Sequence, residues 1–169
     1  MMTVFVRLEA AMTASARRID HYLGHYAGDH RNPVNQRIHL VCVPAIVWSV
    51  IALLWAIPVP VAVNNPGLWA VLAMVAALLY YWSLSRRLGA GAFLLFVAMG
   101  IVCEILHAAI GAAGLAWTAL AVFVAAWIGQ FVGHRIEGRR PSFLTDLTYL
   151  LIGPLWTLSK LYRRLGWTW

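Results

Sequence analysis

The side chains best placed to do chemistry lie at the two ends of a long apolar stretch. Asn35 and His39 are four residues apart, and Gln130, His134 and Glu137 are four and three apart, so each set shares one face of a helix. His30 precedes the first set in the loop Asp29-His30-Arg31-Asn32-Pro33. Two imidazoles and a carboxylate, with a third imidazole from a loop, are the donor set of a non-haem Fe(II) centre, where the open positions take substrate and oxygen. The same groups suit Zn(II), and spacing does not choose between the two metals. Each histidine by itself is an ordinary interfacial side chain; the argument for a metal rests on their convergence.

That convergence needs elements that bring residue 39 and residue 134 to one depth. With 62% apolar and only 11% charged residues in 169, the chain holds more hydrocarbon than a water-soluble core of this size can bury. A spanning helix needs roughly 20 mainly apolar residues, and four stretches qualify: Leu40 to Val63, Leu68 to Leu84, Ala90 to Ile110 and Ala113 to Gly133. The second is the shortest. All 13 Lys and Arg residues fall before the first span, at Arg86 and Arg87, or after Gly133. By the positive-inside rule both termini and the middle loop face the cytoplasm. The nine Trp residues suit interfacial belts. The expected architecture is all-α: one integral, multi-pass membrane domain over 1–169, a four-helix bundle at 40–133 with cytoplasmic interfacial helices in the flanks 1–39 and 134–169. The net charge of +7 follows the membrane face and forms no basic stripe interleaved with aromatics, so no nucleic-acid partner is expected.

Local signals refine this. The first forty residues lack the apolar run of a cleavable signal peptide. Residues 7–26 have helical character suited to the membrane surface, with Tyr22, His25 and Tyr26 near one another. Asn32 suits an N-cap and Pro33 a first helical position, and Pro44 suits a kink that opens carbonyls to a polar cavity. Gly138 and Pro141 end the last span. The tail from Ser142, an apolar run broken by Asp146 and Gly153-Pro154 and followed by Lys160, Arg163 and Arg164, reads as an interfacial or re-entrant lid over the cytoplasmic mouth, because crossing would carry its cations outside. Cys42 and Cys103 read as unpaired packing residues. His21 and His25 form a weaker pair. Glu104 and His107, three apart inside a span, read as a mutual hydrogen bond or ion pair away from the mouth.

Two strings carry a wider resemblance. His30-Arg31-Asn32-Pro33-Val34-Asn35-Gln36-Arg37-Ile38-His39, continuing to Cys42-Val43-Pro44, and Trp127 through Phe143 with Gly129-Gln130-Phe131-Val132-Gly133-His134-Arg135-Ile136-Glu137-Gly138, resemble the two motifs of a family of small membrane proteins first known as a domain of unknown function. Asp146 to Trp156 is similar to the family's usual tail, and the resemblance spans nearly the whole chain. Ser142 and Phe143 stand where many members have Ala and Leu. A fungal endoplasmic-reticulum member is an Fe(II)-dependent dioxygenase that shortens 2-hydroxy fatty acids by one carbon in phytosphingosine breakdown. The resemblance therefore implies Fe(2+) held by His30, His39 and His134, with Glu137 as a further ligand or a partner of the ligands, and Asn35 and Gln130 as orienting groups. It implies a long-chain 2-hydroxy fatty acid and O2 as reactants. A long-chain acid could lay its tail among the spanning helices, in contact with membrane lipid, and hold its carboxylate and hydroxyl at the mouth.

Oxidative decarboxylation to the acid one carbon shorter, carbon dioxide and water balances with one oxygen molecule, in keeping with the lack of a nucleotide-binding motif. Arg37, Arg135, Arg139 or Arg140 could hold the carboxylate, beside their plainer role of setting topology. Ala- and Arg-rich composition points to a bacterial cytoplasmic membrane; in a eukaryote the endoplasmic reticulum is expected. Other classes stay open. A zinc-dependent membrane hydrolase uses the same site, and a non-enzymatic lipid-binding or scaffolding protein needs no metal. A membrane di-iron hydroxylase wants more than these six histidines and paired H-x-x-H-H clusters, and a haem bundle wants opposed histidines inside the spans, where only His107 lies.

Overall fold

A computed structural model describes residues 18–60, 65–141 and 148–169. They form α1 (residues 18–28), α2 (Pro33–Trp55), α3 (Leu68–Leu84), α4 (Arg86–Glu137) and α5 (Thr148–Arg164), with no strand among the described residues. The expectations for residues 7–17, Ser142, Phe143 and Asp146 lie outside this range.

Local chemistry starts and stops these helices. The Asn32 side chain accepts from the Val34 amide at 2.8 Å and Pro33 occupies the first turn, as the sequence predicts. Ser85 caps α4 by accepting from the Leu88 amide at 3.3 Å. Gly138, at φ 72°, closes α4 with its amide on the Arg135 carbonyl, while the Arg139 amide bonds to the His134 carbonyl. Gly67 turns the chain into α3 at φ 81° directly beneath the Trp55 indole, where a Cβ would come within 2.5 Å of the ring.

α4 is two helical arms joined at Gly111, whose φ of 70° and ψ of 175° only glycine adopts easily. Its 52 residues in one straight helix would reach about 78 Å. Yet both ends meet the same layer: Arg87 donates to the Thr168 carbonyl at 3.1 Å and its own carbonyl accepts from the Tyr162 hydroxyl of α5, while Glu137 accepts from the Arg31 and Asn32 amides. The arms therefore fold back on one another, and the turn falls at the expected Gly111 to Leu115 connection.

The second arm lies close against α2. A Cβ on Gly129 would come within 2.6 Å of Cys42 Sγ, and one on Gly133 would collide with the Asn35 side-chain oxygen. Gly129-x-x-x-Gly133 is thus a small-residue contact that lets two helix backbones approach. α2 and α4 are long and apolar enough to cross a membrane, and α3 is a shorter apolar helix. Their outer faces expose Val41, Leu79, Leu94 and Trp117, each about 70%, which water would penalise and lipid would not.

Two expectations need correction. Gly153-Pro154 does not break the tail: α5 runs through both, and the i−4 carbonyl that Pro154 cannot serve belongs to Leu150, on the exposed side of the helix. Glu104 and His107 make no hydrogen bond or ion pair with each other; Glu104 is exposed and His107 half-buried. Cys42 and Cys103 are both free thiols.

Candidate metal centre

Three elements carry three imidazoles to one point. His30 lies in the loop between α1 and α2, His39 sits nearly two turns into α2, and His134 lies in the last turn of α4. One ring nitrogen from each falls within 4.8 Å of the others, and the residues are 1%, 1% and 6% exposed. Among the described residues this is the only such group of His, Cys, Asp and Glu.

The tautomers follow from the partners. His30 Nδ1 lies 2.7 Å from the Tyr26 carbonyl and His39 Nδ1 lies 3.0 Å from the Asn35 carbonyl. A carbonyl only accepts, so both Nδ1 atoms carry the proton and both Nε2 atoms present lone pairs. Those two Nε2 atoms face each other at 3.0 Å. Lone pairs at that distance repel unless a cation or a proton lies between them. Two nitrogens bound to one metal at right angles, with bonds of about 2.1 Å, stand about 3.0 Å apart. His134 adds a buried Nδ1 with no hydrogen-bond partner. The donor set therefore fits a metal ion. Burial holds the His30 imidazole below its ordinary pKa against the Tyr26 carbonyl and the Asp29 and Glu137 carboxylates, which pull the other way.

Glu137 does not belong to the converging group. Its Oε1 accepts from the Arg31 amide at 2.8 Å, and its Oε2 from the Asn32 amide at 2.9 Å and Asn35 Nδ2 at 3.0 Å. The carboxylate thus ties the His30 loop and the first turn of α2 to the end of α4. Asn35, fully buried, turns its carbonyl to His39 and its amide to Glu137, leaving Oδ1 unpartnered beside Gly133. Gln130, 5% exposed, lines a cavity of about 50 Å³ with His134, Tyr26 and Tyr149. All six site residues expected from the sequence lie in or beside the cluster.

Residues that spacing did not reveal complete the walls. The Tyr26 ring stacks on His30 with centroids 4.2 Å apart, and Trp156 of α5, 1% exposed, lies 5.5 Å from His30 and 6.5 Å from His39. α5 packs Trp156 against the imidazoles. Lys160 fastens it by donating to Gln36 at 3.0 Å and lying over the Trp156 ring at 5.0 Å, and Gln36 in turn donates to the His30 carbonyl at 2.8 Å. The one signal in the sequence was the small Gly153, which admits the Tyr26 hydroxyl against α5. His21 and His25 are exposed and away from the cluster, His25 stacking on Tyr149. Arg37, Arg135, Arg139 and Arg140 are exposed, with Arg139 paired to Asp29 at 3.1 Å.

Comparison with known proteins gives two matches. The profile of the family described as 2-hydroxy-palmitic acid dioxygenase Mpo1-like matches residues 16–165. The 2-hydroxy-palmitic acid dioxygenase MPO1 of Saccharomyces cerevisiae is 29% identical over 146 residues, which cover 85% of this chain and 79% of the yeast protein. No solved structure matches.

Proposed function

From the premise that the chain belongs to the Mpo1-like family, we propose that it is an Fe(II)-dependent dioxygenase of 2-hydroxy fatty acids. Three buried imidazoles meeting with two lone pairs 3.0 Å apart carry the reading. The reaction converts a 2-hydroxy acid and O2 into the fatty acid one carbon shorter, CO2 and H2O. The bond between the carboxyl carbon and C2 breaks, C2 is oxidised from alcohol to carboxylic acid, and O2 is the oxidant. A ferrous ion held by His30, His39 and His134 would supply positions at which substrate and oxygen meet.

The chain's own groups do the rest. The Tyr26 and Asn35 carbonyls fix the tautomers of His30 and His39, so the Nε2 atoms stay available. Glu137 acts as a positioning residue by holding Asn35 and the His30 loop in register with His134. Tyr26 and Trp156 exclude water from the rings. Gln130, on the small cavity beside His134, orients the 2-hydroxy carboxylate. Four membrane crossings, by α2, α3 and the two arms of α4, with both termini cytoplasmic, would set this mouth where an amphiphilic acid already lies.

The test is elemental analysis of anaerobically purified protein, followed by oxygen uptake with 2-hydroxypalmitic acid. Iron near one per chain and substrate-dependent uptake, both lost in His39→Ala and His134→Ala, are expected. Bound zinc without uptake would move the chemistry to hydrolysis. No metal even after anaerobic reconstitution with Fe(II) would leave a lipid-binding or scaffolding protein.

A further inference from the structure

A larger cavity adjoins the small one at Gln130 and His134. Ile46, Val47, Trp127, Leu150 and Pro154 wall the small cavity and also wall the larger one, of about 350 Å³, that runs between α2, α3 and the arms of α4. It is larger than the roughly 150 Å³ dry cavity that holds a six-carbon ring, and it is open on one side, where Val50, Ala73 and Leu151 of its lining are exposed. Its lining is apolar as far as Tyr81, which is 2% exposed and stacks on Phe96 with centroids 6.2 Å apart. α3 turns Ala73 and Ala77 into it, one helical turn apart and one turn short of Tyr81. A second apolar cavity, about 300 Å³ beside Leu158 and Leu161, shares only Val43, Val47 and Pro154 with the small cavity and has Arg164 in its lining.

We propose that the cavity along α3 is the acyl-tail site of the substrate, and that Ala73 and Ala77 set the chain length accepted, with Tyr81 and Phe96 as its floor. This rests on the 2-hydroxy acid reading and deepens it. The head group sits against Gln130 and His134, and the tail passes Trp127 and Val47 toward α3. The site is a specificity device because an alanine at each of two successive turns leaves open the volume that a larger side chain would fill.

The experiment uses full-length protein in phosphatidylcholine nanodiscs and a palmitic acid analogue with a diazirine near its methyl end. Photolysis and peptide mapping should label the segment around Ala77 and Tyr81, and excess 2-hydroxypalmitic acid should suppress that label. Ala77→Phe should remove it, and Ala73→Leu gives an independent variant. In both, turnover of a long-chain relative to a short-chain 2-hydroxy acid should fall at least on the order of tenfold, since each displaced methylene loses its burial. Leu79→Phe on the lipid-facing side should leave the profile unchanged. Label on Leu158 or Leu161, label not suppressed by the hydroxy acid, or an unaltered length profile in both alanine variants would overturn the proposal. Competed label at α3 with no turnover of any 2-hydroxy acid would keep the tail site and sink the dioxygenase reading instead.

Discussion

Glu104 and His107, three apart in the first arm of α4, and His134 and Glu137, three apart at its end, offer the same functional groups at the same helical spacing. At the end of α4 both side chains are engaged. His134 is buried among two other imidazoles, and Glu137 accepts from two loop amides and from Asn35. In the first arm the two groups do not even bond to each other, and Glu104 faces outward. Spacing puts two side chains on one face of a helix, but what that face meets is set by the neighbouring element. Gly129 and Gly133 let α2 come close enough to bring Asn35 and His39 against the second arm, whereas Glu104 stands exposed.

The contrast can be broken in four places. The largest effect is expected from His39→Ala or from prolonged chelation of the wild type. Either should lower metal content and oxygen uptake by on the order of 100-fold or more, as removal of a ligand exceeds the loss of a ligand's partner; retained stoichiometric metal in the variant would dissolve the triad. Glu137→Gln should follow, with metal affinity reduced about 10- to 100-fold in an anaerobic Fe(II) titration, because the neutral amide offers one acceptor where the carboxylate offers two. Wild-type affinity would mean that the carboxylate positions nothing.

Gly133→Ala tests the close approach itself. The added methyl meets Asn35, so a destabilisation of about 1–3 kcal/mol is expected, read as a lowered thermal midpoint in detergent. An unchanged midpoint would show that the contact yields cheaply. The smallest effect belongs to Glu104→Gln combined with His107→Ala. Stability should stay within about 0.5 kcal/mol, and metal content and uptake should not move. A loss of metal there would erase the difference between the two regions.

Much of the site was legible because helix periodicity is local. Asn35 with His39, and Gln130 with His134 and Glu137, share faces by spacing alone, and the Asn32-Pro33 cap fixes where α2 begins. The division of labour was not legible. The sequence leaves Glu137 open as a ligand or as a partner of the ligands, and only the fold shows that its oxygens accept from Arg31, Asn32 and Asn35. Trp156, 117 residues beyond His39, and Tyr26, on α1, carry no spacing signal that ties them to the cluster.

By itself, then, the order of residues determined the apolar segments, the Asn32-Pro33 start of α2 and the polar stripes at one end, since each depends on neighbours within a few turns. The tertiary structure alone decided which stripe is buried, that two Nε2 lone pairs face each other at 3.0 Å, that Glu137 holds a loop, and that an apolar cavity along α3 shares walls with the small cavity at His134. Those outcomes depend on how closely two helices approach and on where a third element closes over them. No pairing of nearby residues in the chain encodes such distances.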